Sequence, residues 1–175
     1  MSDDAQPGKP GVVNAEDMAW QSPSRISGRF GTDWRDLTGQ VPARKLDVAM
    51  VRLPPGRLSS PYHFHHASEE LFYVLEGSGL LRLGGEERHV RPGDVVSCAT
   101  GPEGAHQFVN DTDAPLVYLA ISTVESWEVC EYPDSDKVLA RAVAPDGTRV
   151  FNSVFFRSTA VDYFAGEPLA DARRQ

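Results

Sequence analysis

The chain has 175 residues, about one domain on the usual range of roughly 100–200 residues per domain. It carries 17 Lys and Arg against 25 Asp and Glu, which gives a formal net charge of −8. This acidic balance argues against binding to nucleic acid or to an anionic membrane, because both require a basic face. The longest apolar runs are too short to span a bilayer, and the N-terminus lacks the apolar region of a secretory signal. We therefore expect a cytoplasmic protein that acts on a small molecule and does not enter a membrane.

Residues 1–40 are predicted to form an N-terminal arm. Its first residues, up to about position 11, are rich in Asp, Pro and Gly, a composition typical of disorder. Trp20, Phe30 and Trp34 follow among glycines. Aromatic residues in such an arm are expected to pack on their own domain or on a partner subunit.

Residues 41–124 are predicted to form a β-barrel. Short runs rich in Val, Leu, Phe and Tyr alternate there with Pro and Gly turns, at 46–53, 70–75, 80–83, 87–90, 95–99, 106–109 and 116–123. Many short strands with regularly spaced turns are typical of an all-β sandwich or barrel. Residues 125–175 add strands at 127–132, 138–143 and 151–156 before a polar tail.

The two cysteines, Cys98 and Cys130, lie in apolar, strand-like runs and have no CxxC partner. Their setting favours buried free thiols that behave as small hydrophobic residues. A disulfide, a metal ligand and a reactive thiol are the alternatives.

Histidine and glutamate cluster at one point of the chain. His63, His65 and His66 fall within four positions, Glu70 follows shortly after them, and His106 begins a later strand. Residues i and i+2 of a strand share a face, so His63 and His65 point one way and His66 the other. Imidazoles with a carboxylate suit Fe, Mn, Ni, Zn or Co and disfavour Ca. A surface His-x-His pair that binds no metal is the alternative.

The spacing of these residues resembles the two motifs of the cupin family. The first motif is matched by Gly56, His63, His65, Glu70 and Gly77, and the second by Gly93, Gly101, His106 and Asn110. The chain departs from the family pattern in having six residues rather than five before His63. It also has Ala99 at the usual proline position, and four residues rather than two between Gly101 and His106. The last departure predicts a longer turn before His106.

The resemblance implies an all-β fold, a single double-stranded β-helix (jelly-roll) barrel with N- and C-terminal extensions. It also implies one divalent transition metal, Fe, Mn, Zn, Ni or Co, with the ligands His63, His65, Glu70 and His106. The second motif and the segment after it are similar to those of small single-domain bacterial cupins, a group often described as sugar-phosphate isomerases.

Side chains alternate between the two faces of a strand, and this alternation adds further residues to the predicted site. Phe72 and Phe108 share the face of the ligands and are expected to line the cavity, to which we also assign Met50. Tyr62, next to the first ligand, and Glu70, when detached from the metal, are the candidate catalytic acid and base groups. His66 is expected at the rim.

The ligand set favours a metal-dependent enzyme acting on a small polar molecule, because a metal with open positions polarises a carbonyl oxygen or stabilises an enediolate. Isomerase-type chemistry on a sugar, a sugar phosphate or a keto or hydroxy acid is preferred on the family resemblance. An Fe(II) dioxygenase and a non-catalytic small-molecule-binding protein are the alternatives. The aromatic arm and the strand at 151–156 could cover sheet edges across subunits, so we also expect a homodimer.

Overall fold

A computed structural model of the chain describes residues 11–23 and 27–167. The described residues form twelve strands: β1 (Asp33–Asp36), β2 (Leu46–Leu53), β3 (Phe64–His65), β4 (Glu70–Glu76), β5 (Gly79–Leu83), β6 (Glu86–Val90), β7 (Val95–Cys98), β8 (His106–Val109), β9 (Leu116–Thr123), β10 (Trp127–Tyr132), β11 (Lys137–Val143) and β12 (Arg149–Phe156). The described residues also form five short 3-10 helices, at Ala15–Asp17, Thr38–Gln40, Pro102–Gly104, Pro133–Ser135 and Arg157–Thr159.

The all-β class predicted from the sequence is confirmed. Strands β2, β8, β9 and β10 begin and end at the predicted residues, and the six other predicted strands differ by one or two positions. Strands β1 and β3 were not predicted. Within the described ranges, no helix is long and apolar enough to cross a membrane. The predicted N-terminal disorder and polar C-terminal tail lie outside the described residues, apart from Gly11.

The strands pair into three antiparallel sheets. One sheet has the order β1-β2-β9-β4-β7, a second has β6-β5-β8, and a third has β12-β11-β10-β3. The third sheet joins strands from the C-terminal extension to the two-residue strand β3, where Cys130 lies opposite His65. The C-terminal extension therefore forms part of the wall beside the histidine cluster.

The hydrophobic core lies between the first and second sheets. Its fully buried side chains include Leu53, Val74, Leu81, Phe108 and Leu116, which come from five different strands. Burial of each such side chain stabilises the fold by roughly 1.5–3 kcal/mol. This packing fixes the positions of β4 and β8, the strands that begin at Glu70 and His106.

The N-terminal arm packs on its own barrel. Strand β1 pairs with β2 and extends the first sheet by one strand. The ring of Trp20 lies 4.3 Å from the guanidinium carbon of Arg35 and 4.4 Å from that of Arg52. Arg52 also binds Asp33 through two hydrogen bonds of 3.0 and 2.7 Å. These contacts hold the arm over the outer face of β2.

Candidate metal centre

Three separate segments bring the predicted ligands together. His63 precedes β3 and pairs with His106 at the start of β8, through backbone hydrogen bonds of 3.2 and 2.8 Å. His65 ends β3, and Glu70 begins β4. The convergence therefore depends on sheet pairing between residues more than forty positions apart.

The Glu70 carboxylate lies at the centre of the histidine cluster. Its Oε2 atom is 2.9 Å from Nε2 of His106 and 3.3 Å from Nε2 of His65. One ligand atom each from His63, Glu70 and His106 lie within 4.8 Å of one another. The ring of His63 lies 5.0 Å from that of His65 and 4.7 Å from that of His106, measured between centroids.

Each imidazole presents its Nε2 atom to the cluster because its Nδ1 atom is held from behind. Nδ1 of His63 donates to the carbonyl of Pro61 at 2.9 Å, and Nδ1 of His106 donates to that of Gly104 at 3.0 Å. Nδ1 of His65 lies 3.2 Å from both Sγ of Cys130 and Oε2 of Glu128. A proton fixed on Nδ1 leaves the Nε2 lone pair available, and acceptors of this kind orient the histidine ligands of metal sites.

The longer turn predicted before His106 is one turn of 3-10 helix, Pro102–Gly104. The N–H of Gly101 donates to the carbonyl of His65 at 2.8 Å and ties this turn to β3. A Cβ atom at position 104 would overlap the carbonyl oxygen of Ala99, so the tight approach requires glycine there. The two additional residues thus place the Gly104 carbonyl behind His106.

The charges of the cluster are strongly coupled. Burial raises the pKa of Glu70, but His106 and His65 outweigh burial and hold that pKa well below its ordinary value. Burial lowers the pKa of His65, whereas Cys130 and Glu70 raise it to about 11. Burial likewise opposes Cys98 and Glu70 at His106, whose pKa rises to about 10. Burial, reinforced by the neighbouring His106 and His65, lowers the pKa of His63 to about 4.

The donor set fits a divalent transition metal. Nε2 of His65 and Oε2 of Glu70 are buried and form no hydrogen bond within the described part of the chain. Buried polar atoms without partners are costly, and a cation between them would satisfy both. Three imidazoles and one carboxylate form a ligand set that suits Fe, Mn, Co, Ni or Zn.

Glu128 and Cys130 support the site and were not predicted to do so. The Glu128 carboxylate is 2% exposed and accepts hydrogen bonds from the backbone N–H groups of His66, Ala67, Ser68 and Val129, at 2.9 to 3.1 Å. His65, Glu128 and Cys130 form a second group with metal-ligand spacing. Because its oxygens already bind four N–H groups, Glu128 is placed to fix the turn between His65 and Glu70 rather than to hold a second ion.

Cys98 and Cys130 are buried free thiols, as predicted.

The other predicted site residues lie at varying distances from the cluster. Phe72 packs against His106, with ring centroids 5.2 Å apart, and contacts Phe108 at 5.1 Å. Met50 lies elsewhere, in a cleft of about 450 Å³ that also contains Trp20, because β2 turns Val51 and Leu53 into the core instead. The hydroxyl of Tyr62 accepts a hydrogen bond from the N–H of Gly85 at 3.0 Å.

His66 lies on the opposite side of β3 from the cluster. Its Nε2 atom is 2.8 Å from the Glu131 carboxylate, and its side chain is 40% exposed.

A cavity of about 260 Å³ adjoins the cluster and reaches two of the four predicted ligands, His65 and Glu70. Asp47, Ser122 and Arg141 are also in its wall. Sequence reasoning did not identify Arg141, since nothing local to residues 137–143 relates that strand to β3.

Comparison with known proteins finds both similar sequences and similar structures. The sequence profile described as "Cupin domain" matches residues 49–122. An uncharacterized protein of Methanocaldococcus jannaschii is 38% identical over 78 residues, 45% of this chain and 60% of that protein. An oxalate-binding protein of Thermotoga maritima is 33% identical over 73 residues, 42% of this chain and 58% of that protein. This chain thus spans about three fifths of the length of these curated relatives.

A crystal structure from Silicibacter pomeroyi, described as a sugar phosphate isomerase from a cupin superfamily, matches more of the molecule. Its TM-score is 0.72 at 26% identity, covering 92% of this chain and 98% of that one. A structure from Acidithiobacillus ferrooxidans gives a TM-score of 0.73 at 23% identity, covering 86% of this chain and 95% of that one, a likeness of fold. The cupin-domain model thus matches residues 49–122, which contain both motifs, and the fold as a whole is similar to a structure described as belonging to the cupin superfamily.

Proposed function

We propose that this chain binds one divalent transition metal through Nε2 of His63, His65 and His106 and the carboxylate of Glu70. The observation that carries the proposal is the common orientation of the three imidazoles. Each has its Nδ1 atom held by an acceptor, and the Nε2 atoms of His106 and His65 lie 2.9 and 3.3 Å from the same buried carboxylate oxygen of Glu70.

The proposed activity is isomerase-type chemistry on a small polar molecule, namely a sugar, a sugar phosphate or a keto or hydroxy acid. When bound, the metal supplies Lewis acidity toward a carbonyl or hydroxyl oxygen of the substrate. His63, with a pKa of about 4, is neutral near pH 7 and is ready to act as a ligand. Because its pKa is low, Glu70 stays ionised near pH 7, which favours a role as a metal ligand over a role as a proton acceptor.

The comparisons support a small anionic substrate. The similar protein from Silicibacter pomeroyi is described as a sugar phosphate isomerase, and the relative from Thermotoga maritima as an oxalate-binding protein. Both kinds of ligand combine an acid group with oxygen atoms that a metal can bind.

Metal analysis followed by a solvent-exchange assay tests the proposal. Protein purified without a chelating tag is analysed for metal and reconstituted separately with Mn(II), Zn(II), Ni(II), Co(II) and anaerobic Fe(II). Each form is incubated in D₂O with a panel of sugar phosphates and of keto and hydroxy acids, and proton NMR follows the C–H bonds next to the carbonyl. Metal-dependent exchange or interconversion supports the isomerase reading, and the His106→Ala variant serves as the inactive control.

Two results would redirect the proposal. Oxygen uptake that begins only when substrate is added to the Fe(II) form would indicate a dioxygenase. Stoichiometric metal with tight binding of an acid and no turnover would indicate a binding protein, a role favoured by the description of the Thermotoga maritima relative.

A further inference from the structure

The cavity beside the proposed metal centre contains an arginine whose side chain has no hydrogen-bond or ion-pair partner among the described residues. Arg141 lies in the wall of this cavity together with His65 and Glu70. Its Nε atom is buried and has no hydrogen-bond partner within the described ranges. No carboxylate of the described chain lies within ion-pair distance of its guanidinium.

The other described arginines are either paired or exposed. Several bind carboxylates: Arg35, Arg52, Arg82, Arg88 and Arg157. Two donate to backbone carbonyls: Arg29 and Arg57. Three lie on the surface: Arg44, Arg91 and Arg149. Among the described residues, Arg141 alone combines partial burial with a guanidinium that has no ion pair and no side-chain hydrogen bond.

Sheet register places Arg141 on the side of the site. Arg141 on β11 is directly opposite Glu128 on β10, and residues directly opposite in an antiparallel pair share a face. Cys130, two positions after Glu128, is on that same face and contacts His65. The backbone therefore fixes Arg141 next to the residues that support the proposed ligands.

We propose that Arg141 binds the acid group of the substrate, a carboxylate or a phosphate, while the rest of the molecule reaches the proposed metal. This inference rests on the proposed function and narrows its substrate class to small anions. A guanidinium presents a rigid fork of N–H donors that matches both carboxylate and phosphate oxygens. The cavity, with a volume of about 260 Å³, has room for a small molecule.

Binding of simple anions to matched variants tests the role of Arg141. Wild type, Arg141→Gln and Arg91→Gln are loaded with Mn(II), checked for metal content and circular dichroism, and titrated calorimetrically with inorganic phosphate and with glycolate. Arg91 is exposed, so Arg91→Gln removes the same charge away from the cavity. We expect Arg141→Gln to weaken binding of at least one anion about tenfold or more, whereas Arg91→Gln matches wild type. If phosphate binding depends more strongly on Arg141, the acid group of the substrate is a phosphate, and if glycolate binding does, it is a carboxylate.

A measurement on the unaltered chain covers the case in which Arg141→Gln fails to fold. Phenylglyoxal modifies accessible guanidinium groups, and peptide mass mapping reports the rate at each arginine. Phosphate or glycolate is expected to slow modification of Arg141 and to leave that of Arg91 unchanged.

The two proposals fail in different ways. If wild type takes up no metal, the metal-centre proposal fails, and titration of the metal-free protein still reports on Arg141. If metal binds but Arg141→Gln has wild-type affinity for both anions, the inference about Arg141 is overturned while the metal centre stands. Equal losses in Arg141→Gln and Arg91→Gln, or no anion binding by wild type in either form, would also overturn it.

Discussion

Each imidazole of the cluster owes its orientation to an acceptor behind its Nδ1 atom. Two of these acceptors are backbone carbonyls, at Pro61 and Gly104, which a side-chain substitution does not remove. The third is the pair formed by Cys130 and Glu128 at His65. His65 is therefore the ligand whose geometry depends most on distant side chains.

Replacement of a predicted ligand should remove the metal and leave the fold. We expect His65→Ala and His106→Ala to fall from about one bound ion per chain to almost none, because each loses a donor atom of the buried set. Elemental analysis measures the content, and far-ultraviolet circular dichroism checks the β-structure. His66→Ala is the matched control, since His66 contacts Glu131 outside the cluster. Metal loss in that control would show that the side chain of His66, and not only those of His63 and His65, points toward the cluster.

Metal affinity should rise with pH. The pKa values of His65 and His106, about 11 and about 10, exceed the ordinary value of 6.5, so both imidazoles hold an extra proton near pH 7 in the metal-free protein. A metal ion must displace both protons, so affinity should increase by about a hundredfold per pH unit between pH 6 and 8. Titration in buffers of different ionisation enthalpy measures the protons released. A pH-independent affinity would contradict this charge assignment.

The same pKa values determine how the stability of the metal-free protein changes with pH. Groups with raised pKa values contribute fully below their unfolded value of 6.5, and the contribution is lost as pH rises through about 10 to 11. The metal-free protein is therefore expected to lose the stabilisation from these pairs in alkaline solution.

Among the strands, β3 is the element most dependent on its neighbours. It has two residues, and its pairing with β10 supplies both the register of His65 and the buried carboxylate of Glu128. That carboxylate accepts four backbone hydrogen bonds, which organise the turn leading to Glu70.

Truncation of Glu128 should weaken both the fold and metal binding. Glu128→Ala leaves buried N–H groups without an acceptor, so we expect the free energy of unfolding to fall by about 3 kcal/mol. Urea denaturation of the metal-free protein measures this loss, and Glu87→Ala, an exposed substitution on β6, is the control. Unchanged stability in Glu128→Ala would contradict the role assigned to this carboxylate.

Local patterns in the sequence were sufficient to predict most strands. Alternating apolar residues and Gly or Pro turns defined β2, β8, β9 and β10, because strand formation there follows from short-range features. Glu128, Cys130 and Arg141 escaped prediction because their roles arise only when β10 pairs with β3, a contact between distant segments. Met50 was assigned to the cavity, but the inward positions of β2 belong to Val51 and Leu53, and the arm covers the outward ones.

At the scale of the whole molecule, β12 leaves an open sheet edge. All eight of its residues are exposed, including Phe151, Val154, Phe155 and Phe156. Within the described chain it pairs with β11 alone. An exposed, apolar edge strand is a site for association between chains.

We expect a homodimer that uses β12. Light scattering after size exclusion should give a mass near twice the chain mass of 19.2 kDa. Phe155→Glu should shift that mass toward one chain by placing a charge in the apolar strand. Val95→Glu, an equally charged change at an exposed position of β7, should have no effect. A wild-type mass near 19 kDa at all usable concentrations would exclude this assembly.

The join between β3 and β10 has a consequence for the dynamics of the C-terminal half. If metal binds His65, it favours conformations in which β3 is formed, and β3 is formed only when β10 lies beside it. By thermodynamic reciprocity, the ion should then suppress local opening of the entire C-terminal sheet. Amide hydrogens of β10 and β11 would then exchange more slowly with solvent deuterium in the metal-loaded protein, and their exchange rates would report occupancy of the centre.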